Sequence, residues 1–242
     1  MINPLVTFAS TNQSSIQIKA CAEPWPPFDY IEHGKTQGIN VQMNQQIFES
    51  LNIPLKIIIM PWKQCWKLVQ NGKIDVALMV SKKQQRQVDV YYSSLPTDKL
   101  DYVWVTSSNV NYDKICQQSI CPDLETNGWK VGLVEGNSYS KKLLACLNQK
   151  KNANDIIYQP TLSSAVRKLL ADQIQLVPTV KSIAEYFKEQ LKIHHLHVCE
   201  NTLFSKDYYT VFSKISAFKS EKYPSIEAVK TAYDQVLTTK VK

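Results

Sequence analysis

The chain has 242 residues, 44% of them apolar, enough to bury a full core as one large domain or two lobes, and this excludes a disordered chain. Its net charge of +7 comes from lysines scattered along the whole length, which fits small anionic ligands or surfaces and argues against nucleic acid, for which no binding motif is present. No apolar run approaches the roughly 20 residues that a membrane span requires.

The N-terminal MINPLVTFASTNQ lacks the charged start and long apolar segment of an intact signal peptide, although Phe8-Ala9-Ser10 resembles the small-residue end of one. Ser15 to Ala22 alternates as a first strand, and EPWPPFDYIEHGKTQG follows as a loop stiffened by Pro24, Pro26 and Pro27. Asn40 to Leu51 reads as a helix, with Val41, Met43, Ile47, Phe48 and Leu51 apolar, and Pro54 ends it before the strand Leu55 to Met60.

Trp62, Cys65, Trp66 and Val69 then recur at helical spacing, with Gly72 where a left-handed cap is needed. Ile74 to Val80 reads as a buried strand, and Ser81 with Gln84 forms a capping-box pattern, so a helix is expected directly beyond the strand's carboxyl end. In open α/β sheets ligands bind at that junction, where unpaired N–H groups favour anions. Arg86 lies one turn on. Only it and Arg167 are arginine among the 28 basic residues, so a planar, bidentate donor there suits a carboxylate.

The strand, helix, strand order implies a parallel sheet. A strand at Tyr102 to Val105 is followed by the polar connection 107–128. Trp129 to Val134 starts a second α/β run, in which Asn137 or Ser138 is placed to cap a helix over Lys141 to Leu147. Strand Ile156 to Tyr158, helix Ser163 to Ala171, strand Ile174 to Val177 and helix Ser182 to Gln190 continue it. His194 to Cys199 and Tyr208 to Phe212 are late strands, and Ser225 to Leu237 is a closing helix.

Six cysteines, Cys21, Cys65, Cys116, Cys121, Cys146 and Cys199, fit three disulfides in an oxidising compartment better than a zinc site, since no pair of CxxC type occurs. His195, His197 and Cys199 would share a strand face, but a fourth metal ligand is not evident. No metal or cofactor is therefore expected. No nucleophile elbow, HExxH, Walker loop, dinucleotide fingerprint or kinase set occurs, and Glu23, Asp29 and Glu135 are isolated carboxylates. Trp25 and Trp62 both fall at the ligand-facing end of the sheet, where two indoles can sandwich an apolar or cationic group.

The ordered set AEPWPPFDY, the Gly34 and Gly38 turn, LVQNGKIDVAL with Gly72 and Asp75, the Ser81 to Arg86 helix start followed by VYYSSLP, and VGLVEGNS resembles the periplasmic solute-binding proteins of family 3, the amino-acid type. That resemblance implies an α/β, two-lobed periplasmic-binding-protein-like (type II) fold, with a hinge and an interlobe cleft. Lobe 1 is expected over 1–104, with 213–242 returning to it, and lobe 2 over 105–212. By position it implies that Trp25 and Trp62 stack on a ligand, that Arg86 with Ser81 takes its carboxylate, and that Asn137 and Ser138 face the same group. WKQC with a first-strand cysteine is similar to a subgroup with a Cys21 to Cys65 disulfide; Cys116 is expected to pair locally with Cys121.

The chain departs from the family where members for α-amino acids place an Asp for the ammonium: Thr179, Val180 and Lys181 stand there. Position 42, often acidic in the family, is Gln42, and the final Gly-led helix is missing. These departures point to a carboxylate ligand without an ammonium. The expected function is a monomeric, non-enzymatic solute-binding protein, periplasmic or secreted, that passes an amino acid or related small ligand to a membrane ABC permease. A dehydratase-like enzyme on the same fold and a sensing or host-facing binding protein are the alternatives.

Overall fold

In the computed structural model, which describes residues 17–107, 112–117, 120–121, 127–148, 155–190 and 192–240, the first strand β1 (Ile18–Ala22) is almost wholly sealed from solvent. The hairpin β2 (Tyr30–Glu32) and β3 (Lys35–Gln37) comes next, then α1 (Ile39–Ser50), β4 (Leu55–Ile59), α2 (Trp62–Gln70) and β5 (Val76–Ser81). The hairpin lies within what reads as a rigid loop. Its signal is local: His33 and Gly34 both take positive φ, at 50° and 74°, the requirement of a two-residue hairpin turn.

A 3-10 helix at Gln84–Val88 precedes β6 (Val90–Tyr92) and the ten-residue β7 (Asp98–Ser107). Then come α3 (Tyr112–Cys116), β8 (Val131–Val134), α4 (Lys141–Leu147), β9 (Ile156–Gln159) and α5 (Leu162–Leu170). The chain continues through β10 (Val177–Val180), α6 (Lys181–Gln190), β11 (Leu196–Val198), the ten-residue β12 (Phe204–Ser213) and α7 (Ile226–Lys240). Much of the connection 107–128, like residues 1–16, falls outside the described residues.

The first strands read as a parallel sheet are parallel, β1 pairing with both β4 and β5, while the main sheet as a whole is mixed. Its order is β10-β7-β12-β5-β1-β4, with only the β1–β4 and β1–β5 pairs parallel, while β12 runs antiparallel to both β5 and β7. The two long strands change the direction, and each lends side chains to more than one apolar core: β7 gives Tyr102 and Trp104 to one and Val103 and Val105 to another, while β12 gives Tyr208 to the first of these and Phe212 to a third. One core packs β1 and β5 against α1 and α7 through Ile47, Phe48, Phe212, Val229 and Tyr233. Another packs β7 and β10 against α5 and α6 through Val103, Val105, Leu169, Val177 and Ala184. The expected strand at 174–177 begins three residues later, because Leu176 makes only a single bridge to Val131, and Pro178 is tolerated on an end strand of the sheet order.

Cys21 and Cys65 are joined, tying α2 to β1. The local Cys116–Cys121 pair is not formed: Cys116 joins Cys199, and Cys121 joins Cys146. Cys116 ends α3, which packs on β7, and Cys199 is held beside the same strand by its N–H bond to the Trp104 carbonyl, so tertiary proximity overrides sequence proximity. With Cys199 oxidised, the His195, His197, Cys199 face is no thiolate metal site.

Candidate functional site

At the carboxyl end of β5 the backbone departs from regular pairing. Two residues, Leu78 and Met79, stand opposite Thr210 of β12, and Met79 takes a φ of 54°, which non-glycine residues rarely adopt. Ser81 is the last residue of β5, not a helix cap, and Lys83 beyond it is extended, so only a short 3-10 turn follows. The helix-terminus anion site expected there is therefore absent.

A side chain supplies the charge instead. Arg86 donates through Nη1 to the carbonyl and hydroxyl oxygens of Ser81, both at 3.0 Å. Its guanidinium lies 4.7 Å from the Trp62 ring centre and 5.2 Å from that of Trp66, with the two indoles stacked on each other at 5.6 Å. Its other N–H groups meet no acceptor among the described residues. Burial lowers its pKa, yet a guanidinium keeps its charge at any physiological pH. Trp62 thus lies against Arg86 as well as on the cleft.

Trp25 is set by its loop, which is pinned at both ends. Gly38 lies so close to Phe28 that a Cβ there would fall 1.9 Å from the Phe28 carbonyl oxygen. The Asn40 amide donates to both oxygens of buried Asp29, at 2.9 and 3.0 Å, and the network continues through Asn44 to Thr210 and Tyr233. Trp25 itself is 8% exposed and meets Tyr208 edge-on at 5.4 Å, so it serves the core as well as the cleft.

The opposite wall is the turn after β8. Gly136 has a φ of 80°, and a Cβ there would approach Trp62 to 3.3 Å, so the turn backbone sits against the indole. Asn137 and Ser138 do not cap α4; Ser140 does, accepting from the Leu143 N–H at 3.1 Å. Ser138 instead receives Lys206 of β12 on both its carbonyl and its hydroxyl. Lys63 and Glu135 pair across the cleft at 2.5 Å, both well exposed.

These walls enclose an inner chamber of about 20 Å³ lined by Trp25, Trp62, Ser81, Arg86, Asn137 and Ser138. Glu23, Met79, Gly136 and Tyr208 complete it. Burial holds the Glu23 carboxyl up at about pH 7, and it accepts no hydrogen bond among the described residues. Lys206 is pushed down to about 8 by burial and by the neighbouring charges of Lys83 and Arg86. Sequence reading leaves Glu23 as an isolated carboxylate and does not single out Lys206. No local pattern marks one strand lysine among so many. Thr179 is buried in β10, and Lys181 pairs with Glu200, so neither takes the place of the missing Asp. Outside the chamber, and sharing Glu23, Trp25 and Trp62 with it, opens a groove of about 780 Å³.

Two ten-residue strands shared among the apolar cores, with a charged chamber beside β12, fit a two-lobed solute-binding fold. The chain belongs to the bacterial extracellular solute-binding proteins, family 3, whose family model matches residues 18–238. Its fold is similar to the holo form of ArgBP from T. maritima, with a TM-score of 0.75 at 18% identity over 95% of this chain and 92% of that one. It is similar to ArtJ, the arginine-, lysine-, histidine-binding protein of Geobacillus stearothermophilus, at 0.71 and 18% over 92% and 90%. It is also similar to a histidine kinase sensor domain, at 0.74 and 16% over 92% and 89%. No curated protein sequence matches it. No helix among the described residues is long and apolar enough to cross a membrane.

Proposed function

We propose that this protein captures a small carboxylate-bearing ligand, an amino acid or a relative of one, in the chamber and delivers it to a membrane ABC permease from the periplasm or the cell surface. The observation that carries this reading is Arg86, braced on Ser81, stacked on two indoles and left with free donors facing the chamber. Ser138 adds a hydroxyl to the lining, held in place by Lys206 of β12. Lobe 1 (1–104 with 213–242) and lobe 2 (105–212) hinge through β7 and β12, and the protein acts as a monomer that binds without turning its ligand over.

The same chamber can serve a receptor, a reading supported by the likeness to a histidine kinase sensor domain. Co-purification with a permease favours delivery, and co-purification with a signalling partner favours sensing.

Calorimetry with the ligand that accompanies the purified protein tests the chamber. Arg86→Ala is expected to weaken binding by roughly 2–5 kcal/mol, the range for removing one partner of a buried charge pair. Arg86→Lys recovers part of that, since an ammonium restores charge without the planar fork. Arg167→Ala, on the exposed side of α5, changes nothing. Equal affinities for wild type and Arg86→Ala would place the carboxylate elsewhere.

A further inference from the structure

The two cavities differ in kind as well as size. A chamber of about 20 Å³ holds a carboxylate-sized group and little else, since a single water needs roughly 10–15 Å³ by the same measure. The chamber and the groove share Glu23, Trp25 and Trp62 on their walls, so whatever else the ligand carries can extend past these residues into the groove. At about 780 Å³ the groove lies in the upper range of small-molecule sites.

The groove's chemistry is apolar and planar. Pro24, Pro26, Pro61 and Pro160 line it with Leu162 and Phe187. Ile31 lines it too and is 57% exposed, available to a ligand's apolar arm. Tyr30 of the hairpin meets Tyr186 of α6 at 5.8 Å across it. Its charged groups other than Glu23, Lys63 and Glu135, neutralise each other. An arm carrying its own charge would find no free counter-charge there, whereas a ring or branched chain would be packed on several sides. At the opening stands the Glu23 carboxyl without a hydrogen-bond donor.

We infer that the ligand is an amphiphilic amino acid or amino-acid derivative: its carboxylate enters the chamber, an N–H beside it donates to Glu23, and an uncharged aromatic or branched arm fills the groove. This rests on the carboxylate site proposed above and adds the ligand's other two parts. It also reverses the expectation of a ligand without an ammonium, because Glu23 supplies from the first loop the carboxylate that positions 179–181 lack.

Calorimetry on the purified protein with four probes separates the parts: glycine has the head alone, L-phenylalanine adds the ring, L-arginine adds a charged arm, and 3-phenylpropionate keeps the ring and carboxylate without the amine. L-phenylalanine is expected to bind about tenfold or more tighter than glycine or L-arginine, as burial of a ring demands. It should also bind about tenfold tighter than 3-phenylpropionate, which leaves Glu23 unpaired. The double variant Ile31→Asp, Tyr186→Ala should bring L-phenylalanine down to the level of glycine and leave glycine unchanged. Equal affinity for glycine, L-arginine and L-phenylalanine overturns the inference, as does no binding of any probe. Affinities that fall with Arg86→Ala but ignore the groove variant overturn it while the carboxylate site stands. An L-phenylalanine affinity that responds to the groove variant but not to Arg86→Ala overturns the carboxylate site, and the inference with it.

Discussion

The two walls of the cleft are built differently. The wall formed by β1, α2 and the end of β5 is braced at every functional position: Cys21–Cys65 ties α2 to β1, Ser81 and the indoles hold Arg86, and Gly38 with Asp29–Asn40 fixes the Trp25 loop. The facing wall is a turn, Glu135 to Ser138, resting on Trp62, on Lys206 and on one exposed ion pair. An exposed ion pair contributes about 0–1 kcal/mol. On the proposed reading, the contrast means that the binding determinants are preorganised on one side and a ligand meets that braced wall first.

The comparison can be broken hardest at the disulfides. Replacing Cys21 and Cys65 by serine is expected to cost about 2–4 kcal/mol of stability and also to weaken ligand binding, because α2 carries Trp62. Replacing Cys121 and Cys146 should lower stability too but leave affinity unchanged, since neither residue lines the chamber. Guanidinium unfolding and calorimetry on both variants check this; an equal loss of affinity in the two would erase the distinction between the walls.

Trp62→Ala is a smaller break. Removing one of two indoles beneath Arg86 should cost about 1–2 kcal/mol of affinity and little stability, because Trp66 remains stacked on the guanidinium. A loss as large as that of Arg86→Ala, measured by the same titration, would mean that the indole contacts the ligand directly rather than holding the arginine.

The last expected effect, on stability and not on affinity, is a dependence on pH. Burial raises Glu23 from 4.5 and Asp29 from 3.8 to about 7, and Asp98 from 3.8 to about 6. The folded chain therefore holds protons that the unfolded chain has released, and on this account stability falls as pH rises from about 4 to 7. Lys206 acts in the other direction. Its folded pKa of about 8 lies below the ordinary 10.5, so the unfolded chain binds more protons between those values and stability rises there with pH. Thermal unfolding across pH 5 to 10 should show a trough near pH 7–8. A melting temperature that climbs from pH 5 to 7.5 would contradict it.

The braced wall was largely legible in the sequence, because its signals are local. Trp62, Cys65 and Trp66 announce themselves by helical spacing, Arg86 by its rarity, and Trp25 by its prolines. What was misread there was backbone: Ser81 looked like a cap, but the bulge at Met79 and the extended Lys83 spoil the helix start. The facing wall was legible only as a turn. Lys206 reaches it from β12, 68 residues from Ser138, and Cys116 finds Cys199 across 83 residues, so no short-range pattern could report either. The groove is assembled from the hairpin, the start of α5 and α6, which meet only in the folded chain.

Native mass spectrometry of the protein as purified, beside Arg86→Ala prepared identically, tests the central claim most directly. The wild type is expected to carry one small molecule per chain, bearing a carboxylate on fragmentation, and Arg86→Ala to arrive empty but folded. The same molecule at the same occupancy in both would contradict the claim that Arg86 holds the ligand.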